Sequence, residues 1–411
     1  MRLPAFSAFA AALLALSASA ELVPLAPANG ETIPMLTREQ TETAAILKRS
    51  ERISFVKKNR KEFSKDEDSK WRTAPRFRLK WSATDGEGGP WKVEIADNSD
   101  FRNATVYYAE NVKTEKANDK TVTCRFYIDA PNLLLNREYW WRVTSNLTCA
   151  RKGHGEVWHI CKCGENEKEI VSKAASFKTA DTPPRWIKIE GRTQNIRDLG
   201  GWKTLDGRRV KQGLVFRGQG LNDNSVDGTI PGRNRLYLED ITLLKDTLGI
   251  KTDLDLRSSM ETADMKTSPL GEDVNFIHIS SKSYKGIFSA EGKEIMAKNV
   301  KLFADEKNYP IYFHCIAGAD RTGSLAYMLL GILGVDQDLA TIEWEHTFYP
   351  DLPNFEKEYS KNFWRRSQHF VEGLAKYCGE DASFKERAEA YLLDCGVTKE
   401  EIENIRSILL D

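Results

Sequence analysis

Cys315 and Arg321 are separated by five residues in the stretch Asn308-Tyr-Pro-Ile-Tyr-Phe-His314-Cys315-Ile-Ala-Gly318-Ala-Asp320-Arg321-Thr322-Gly323. A free thiol titrates near ~8.5, and only its thiolate is a good nucleophile. Converging amides and a helix N-terminus lower that value by several units. Arg321 carries a planar fork that matches two phosphoryl oxygens. A thiolate facing such a fork suits attack on a bound phosphate ester. Thr322 can donate its hydroxyl to the sulfur, first as thiolate and later as leaving group. His314 reads as a residue that orients the loop by hydrogen bonding rather than as a base. Gly318 and Gly323 let the backbone approach an anion closely.

The flanking residues say what positions this chemistry. Ile311 to Phe313 is a short apolar run of β type, and Ser324 to Leu333 is an unbroken apolar segment ended by Gly334. The order is strand, loop, buried helix. Such a loop aims several N–H groups and the positive end of the helix at one point.

The string His-Cys-x5-Arg-Thr resembles the phosphate-binding loop of the cysteine-dependent protein tyrosine phosphatase superfamily. The fuller string, His-Cys-x-Ala-Gly-x-Asp-Arg-Thr-Gly, is similar to its atypical bacterial tyrosine/serine phosphatase branch. Asn195-Ile-Arg-Asp198-Leu-Gly-Gly201, Gly213-Leu-Val-Phe-Arg217 and Gly249-Ile-Lys-Thr-Asp-Leu-Asp255-Leu-Arg257-Ser resemble upstream segments of that branch, in the same order. The resemblance covers residues 186–411. It implies an α/β domain and a phosphoric monoester hydrolase of dual specificity, working through a phosphocysteine intermediate without metal or other cofactor. Cys315 would be the nucleophile and Arg321 the clamp. His314, Ile316, Ala317, Gly318, Ala319, Thr322 and Gly323 would complete the substrate-binding loop. Many members carry Lys where this chain has Ala319. An inositol-phosphate or phosphoinositide phosphatase is thus an alternative that Ala319 argues against. A non-enzymatic surface protein with a relic phosphatase domain is a second alternative, opposed by the intact Cys315, Asp320 and Arg321.

The proton donor is open at this level. Many tyrosine phosphatases use an aspartate on a separate loop, but Ser280-Ser-Lys-Ser-Tyr-Lys-Gly286 contains no carboxylate. Asp320 is the nearest candidate, with capping of the following helix as the competing reading. Asp198 is the second candidate, with a salt bridge to Arg197 as its structural reading. Arg217, Asp255 and Arg257 read as braces. Lys282 and Tyr284 follow an expected strand, where substrate-facing loops of parallel sheets sit.

The chain has 411 residues, with 60 Lys plus Arg against 60 Asp plus Glu, so its overall charge favours neither nucleic acid nor an acidic partner. Residues 1–20 read as a signal peptide: Arg2, the apolar run Ala8 to Leu16, then Ala18-Ser-Ala20. Export to a periplasm or the exterior is the expectation, and no later segment is apolar and long enough to span a bilayer. Residues 21–182 are expected to form a fibronectin type III-like β-sandwich, with a helical and charged insertion near 36–74. Phe77, Leu79 and Trp81, then Trp91, Val93 and Ile95, then Tyr139, Trp141 and Val143 alternate with polar residues. Asn136-Arg-Glu-Tyr-Trp-Trp-Arg-Val resembles the closing half of a fibronectin type III domain. That module would dock a protein or glycan partner, while the catalytic domain takes a phosphorylated protein or a small phosphomonoester. After Pro183-Pro184 the pattern becomes strands alternating with helices over 186–411, which implies a mostly parallel central sheet flanked by helices. Seven cysteines are present. Cys378 with Cys395 and Cys124 with Cys149 are candidate disulfides, buried thiols being the alternative. His154, His159, Cys161 and Cys163 cluster, but Cys-x-Cys is not a usual zinc spacing, so no metal is assigned.

Overall fold

A computed structural model of the chain describes residues 21–63, 65, 75–84, 91–109, 112–118, 121–128, 132–145, 150–152, 158–160, 169–191, 193–222, 236–262, 265–348, 359–379 and 381–411. The segment read as a signal peptide lies outside these residues, as do the side chains of His154, His159, Cys161 and Cys163. Contacts divide the chain into two units. The first comprises residues up to Glu31, Arg78–Tyr127 and Glu138–Phe177; the second comprises Thr32–Phe77, Ile128–Arg137 and Lys178–Asp411.

The first unit is rich in antiparallel strands. One sheet runs in the order Leu22–Ala26, Phe77–Thr84, Thr121–Ile128, Lys113–Lys116. Another contains Ala175–Thr179, Glu138–Ser145, Trp91–Ala96 and Thr105–Ala109 as successive neighbours. Leu79, Trp81, Val93, Trp141, Val143 and Phe177 are fully buried, as the period-two pattern requires. Trp81 and Trp91 meet edge to face at 5.4 Å. Glu94 departs from the pattern. It is buried opposite Arg142 in the register of the two strands, and Arg142 Nε and Nη2 donate to its carboxylate at 2.8 and 3.1 Å.

The second unit holds a sheet with strand order Arg185–Trp186, Arg197–Asp198, Val215–Gln219, Ile311–Cys315, Thr252–Asp255, Asn275–His278. The first two neighbouring pairs are antiparallel and the last three parallel. The strands Val215–Gln219, Thr252–Asp255 and Ile311–Cys315 are buried along their whole length. Beyond Arg321, every residue of the helix Arg321–Ile332 is buried. Leu325, Leu329 and Ile332 share the main core with Phe313, Leu254 and Val300. Capping boxes form at Thr37-x-x-Gln40 and Thr398-x-x-Glu401, each hydroxyl accepting from the N–H three residues on.

Two expectations need correction. The helices Arg38–Ala44 and Arg49–Phe63 fall with the second unit rather than as an insertion of the first. Their anchor is an ion pair remote in sequence: Arg52 Nε meets Glu345 Oε2 at 2.5 Å, both side chains buried. Arg49 joins it, bonding Glu345 at 3.1 Å and Ser367 at 2.6 Å. Cys378 and Cys395 carry free thiols, so that candidate disulfide does not form; Cys124 is free as well, and its candidate partner Cys149 lies outside the described residues. Cys124 is closed in the apolar interior, which pushes its thiol up to about 11, and Cys378 Sγ faces the Glu386 carbonyl at 3.9 Å.

Candidate active site

The strand Ile311–Cys315 delivers Cys315, 1% exposed, to the start of a loop that closes at the helix Arg321–Ile332. Four successive carbonyls of this loop are tied from outside it. The Ile316 carbonyl accepts from Gly220 N at 3.3 Å, Ala317 from Asn195 Nδ2 at 3.0 Å, Gly318 from Arg217 Nη2 at 2.5 Å and Ala319 from Trp344 Nε1 at 2.8 Å. In a trans peptide the carbonyl and the following N–H point in opposite directions. Turning four carbonyls outward therefore turns the next N–H groups into the concavity, which makes an anion cradle. The two glycines are required by fit. Gly318 has φ +66°, and a Cβ there would strike the Gly218 carbonyl; a Cβ at Gly323 would strike the Trp344 indole.

The supports of this loop form a network. Glu343, fully buried on the helix Gln337–Glu345, accepts from Arg197 Nε and from Arg217 Nη1, both at 2.8 Å. One carboxylate thus fixes the arginine that holds Gly318, and Arg197 in turn donates to the Asn195 side chain that holds Ala317. His314 lies below the loop with Nε2 2.9 Å from Asp253 Oδ1 and Nδ1 3.8 Å from Asp255 Oδ1. Burial works against its charge, but the two carboxylates outweigh it and raise its pKa. Arg257 pairs with Asp255 through two nitrogens, Nε and Nη2.

Burial also works against ionisation of Cys315. The Arg321 charge, together with the hydroxyl and N–H of Thr322, more than offsets it, so the thiol titrates below its ordinary value. Arg321 itself is held by Glu261, its Nη1 at 2.6 Å from Oε2 and Nη2 at 3.1 Å from Oε1. Burial opposes the guanidinium charge, and Glu261 and the Cys315 sulfur prevail to raise its pKa. Asp320 stands at the N-cap position but makes no side-chain cap bond. Its carboxylate accepts instead from the Tyr284 hydroxyl.

Of the residues the sequence singles out, Cys315, Ile316, Ala317, Gly318, Ala319, Asp320, Arg321, Thr322 and Gly323 lie on this one loop and the first turn of its helix. His314 does not face the concavity, being enclosed between two aspartates of the neighbouring strand. Asp198 is fully buried and fully engaged. Its Oδ2 accepts from Arg185 Nε and Nη2 and from Gly213 N, and its Oδ1 from Gly200 N. The expected Arg197–Asp198 salt bridge is replaced by Arg185–Asp198 and Arg197–Glu343. Lys282 reaches out to Glu291 at 3.1 Å. Sequence reasoning missed Glu261, Glu343 and Trp344. Glu261 had a usable signal, since it follows the carboxyl end of a parallel strand just as Tyr284 does. Glu343 and Trp344 had none, because they sit within an ordinary helical pattern.

A buried thiolate-prone cysteine, an arginine at the first helical position and a ring of inward amides define a protein built to hold a phosphoryl group. Residues 187–411, more than half of the chain, match the model of the tyrosine phosphatase family, and the chain belongs to that family. A protein named as a tyrosine-protein phosphatase in Cupriavidus necator is 28% identical over 169 residues, covering 35% of this chain and 56% of that protein. The chain thus spans about half the length of this curated relative. Two solved catalytic cores of Siw14 also align. One, a PP-IP phosphatase from S. cerevisiae in complex with citrate, has a TM-score of 0.24 and 13% identity over 39% of this chain and 85% of that one. The other has a TM-score of 0.23 and 13% identity over 38% and 88%.

Proposed function

We propose that the chain is an exported phosphomonoesterase of the phosphotyrosine and phosphoserine class, working through a phosphocysteine. The observation that carries this reading is the set of four outward-tied carbonyls around a thiol whose pKa is lowered beside Arg321. The amides of residues 316–321 and the Arg321 fork hold the three non-bridging oxygens as charge shifts in the transition state. The Cys315 thiolate attacks phosphorus; the S–P bond forms as the P–O bond to the leaving group breaks. Asp320 gives its proton to the departing oxygen. Water then attacks the phosphocysteine, Asp320 takes the water proton, and the thiolate leaves with release of inorganic phosphate. Asp320 is assigned this role because it lies on the loop itself, directly before Arg321, and is only partly buried, whereas the Asp198 oxygens are spent on four other donors. Ala319, buried and neutral, adds no charge for a polyanionic head group, which favours simple monoesters over inositol phosphates. The strand-rich first unit, with its resemblance to a fibronectin type III domain, would serve as an accessory docking module.

The test is hydrolysis of p-nitrophenyl phosphate by the full chain, with and without EDTA. Activity should persist in the chelator and vanish in Cys315→Ser, because a serine hydroxyl does not ionise in this setting. Iodoacetamide near neutral pH should inactivate the enzyme with label on Cys315, ahead of Cys124 and Cys395, whose thiols are both pushed up to about 11. Wild-type turnover by Cys315→Ser, or loss in EDTA that zinc restores, would overturn the mechanism.

A further inference from the structure

The loop that follows the strand Asn275–His278 carries no acid, yet it reaches the cradle. Tyr284 lies on it, 6% exposed, with its hydroxyl donating to Asp320 Oδ1. Its ring stacks on Trp344 with centroids 5.8 Å apart and planes at 10°. The Trp344 indole N–H in turn holds the Ala319 carbonyl at 2.8 Å, directly before Asp320. The backbone is tied to the same place: Tyr284 N donates to Ser324 Oγ at 3.1 Å, and Ser324 Oγ donates to the Asp320 carbonyl at 2.9 Å. Tyr284 also adopts φ +51°, a left-handed conformation that bulky side chains rarely take and that persists only where surrounding contacts impose it.

We propose that Tyr284 is the positioning residue for the proton donor: its hydroxyl holds one carboxyl oxygen of Asp320, so that the other carries the proton toward the leaving group. The inference rests on the phosphatase reading and deepens it. A carboxyl group can turn about two side-chain torsions. A hydrogen bond to one oxygen, from a ring clamped by stacking, removes that freedom and presents the second oxygen in a fixed direction. No carboxylate is needed on the loop between Ser280 and Gly286, because its contribution is the donor that aims Asp320.

Tyr284→Phe removes only the hydroxyl and keeps the ring that stacks on Trp344. The experiment compares kcat and KM for O-phosphoserine, whose alkoxide leaving group needs a proton, with those for p-nitrophenyl phosphate, whose leaving group needs little. Taking the ratio of the two rates within one preparation cancels any unfolded fraction. Asp320→Asn should slow phosphoserine selectively, by roughly the 10²–10⁴-fold typical of acid catalysis. Tyr284→Phe should slow it selectively by about tenfold, a part of that factor, with KM unchanged. In the Asp320→Asn background, Tyr284→Phe should add no further selective loss, since the group it aims is gone. Equal slowing of both substrates by Tyr284→Phe, no slowing of either, or a further selective loss in the double variant would overturn the positioning role. If Asp320→Asn itself slows both substrates alike, the acid assignment fails and this inference falls with it. If Asp320→Asn is selective and Tyr284→Phe is not, the Tyr284 role alone is wrong.

Discussion

In the strand Glu138–Ser145 of the first unit, Tyr139, Trp141 and Val143 point inward while the residues between them are less buried. In the strand Val215–Gln219 of the second unit every residue is buried, Arg217 and Gln219 included. The first strand follows the rule for a sheet with one covered face as far as Val143, beyond which Thr144 is buried as well. The second lies between neighbours inside a covered sheet, where a charge survives only with a partner. The two ion pairs of these strands differ accordingly. Arg142 and Glu94 face each other on adjacent strands, and Arg142 remains a third exposed. Arg197 and Arg217 are wholly enclosed and share Glu343, which comes from a helix more than a hundred residues away. The pair that reaches solvent through Arg142 decorates a sheet that hydrophobic burial already holds. The enclosed triad sets the shape of the catalytic loop, because Arg217 and Asn195 reach the loop carbonyls through it.

That contrast can be broken by substitution. The largest effect on stability should come from Glu343→Ala, which leaves two arginines buried without their carboxylate. A loss of roughly 3–5 kcal/mol is expected, as for breaking a buried pair from one side, along with loss of phosphatase activity in the fraction still folded. Urea unfolding and p-nitrophenyl phosphate turnover measure the two together; full activity in a stable Glu343→Ala protein would show that the triad does not shape the loop. Arg321→Lys comes next. This arginine is partly exposed and paired with Glu261, so the fold should hold while the rate falls. A point charge cannot span two phosphoryl oxygens, and a drop of roughly 10²–10³ is expected, as for losing a donor to the developing charge. An unchanged rate would show that Arg321 does not clamp the phosphoryl group. Glu94→Ala should do least. Arg142 can turn to water, so the change should be about 0.2–1 kcal/mol with kcat untouched. A large loss of stability there would mean that the two ion pairs are not different in kind.

The same contrast marks how far the residue order could be read. Strands of the first unit such as Phe77–Thr84 announce themselves through alternation, and Glu94 is buried against that pattern through a partner on the next strand. The cradle announces itself too, because its residues are contiguous and their chemistry is local. Two helices of the second unit begin at capping boxes, at Ser383 before Phe384–Asp394 and at Thr398 before Lys399–Leu409, a signal that acts within a few residues. What was not legible are the partners that come from afar. Tyr284 and Asp320 are 36 residues apart, Arg321 and Glu261 are 60 apart, and Arg49 and Glu345 are 296 apart. No periodicity carries such distances, and so the helices Arg38–Ala44 and Arg49–Phe63 could not be assigned to their unit from sequence.

By itself, then, the residue order determined the nucleophile candidate, the arginine six places on and the strand–loop–helix that joins them, because backbone sterics and capping act within a few residues. It also determined where glycine was needed, though not what each glycine had to clear. Only the tertiary structure separates Asp320 from Asp198: it encloses one carboxylate among four donors and bonds the other to the Tyr284 phenol, and the acid role proposed for Asp320 is drawn from that difference. It alone supplied Glu261, Glu343 and Trp344, and it turned His314 into the sheet. The reason is that a buried polar group is satisfied by whatever donor or acceptor the fold brings within about 3 Å, and that is a property of packing, not of neighbours in the chain.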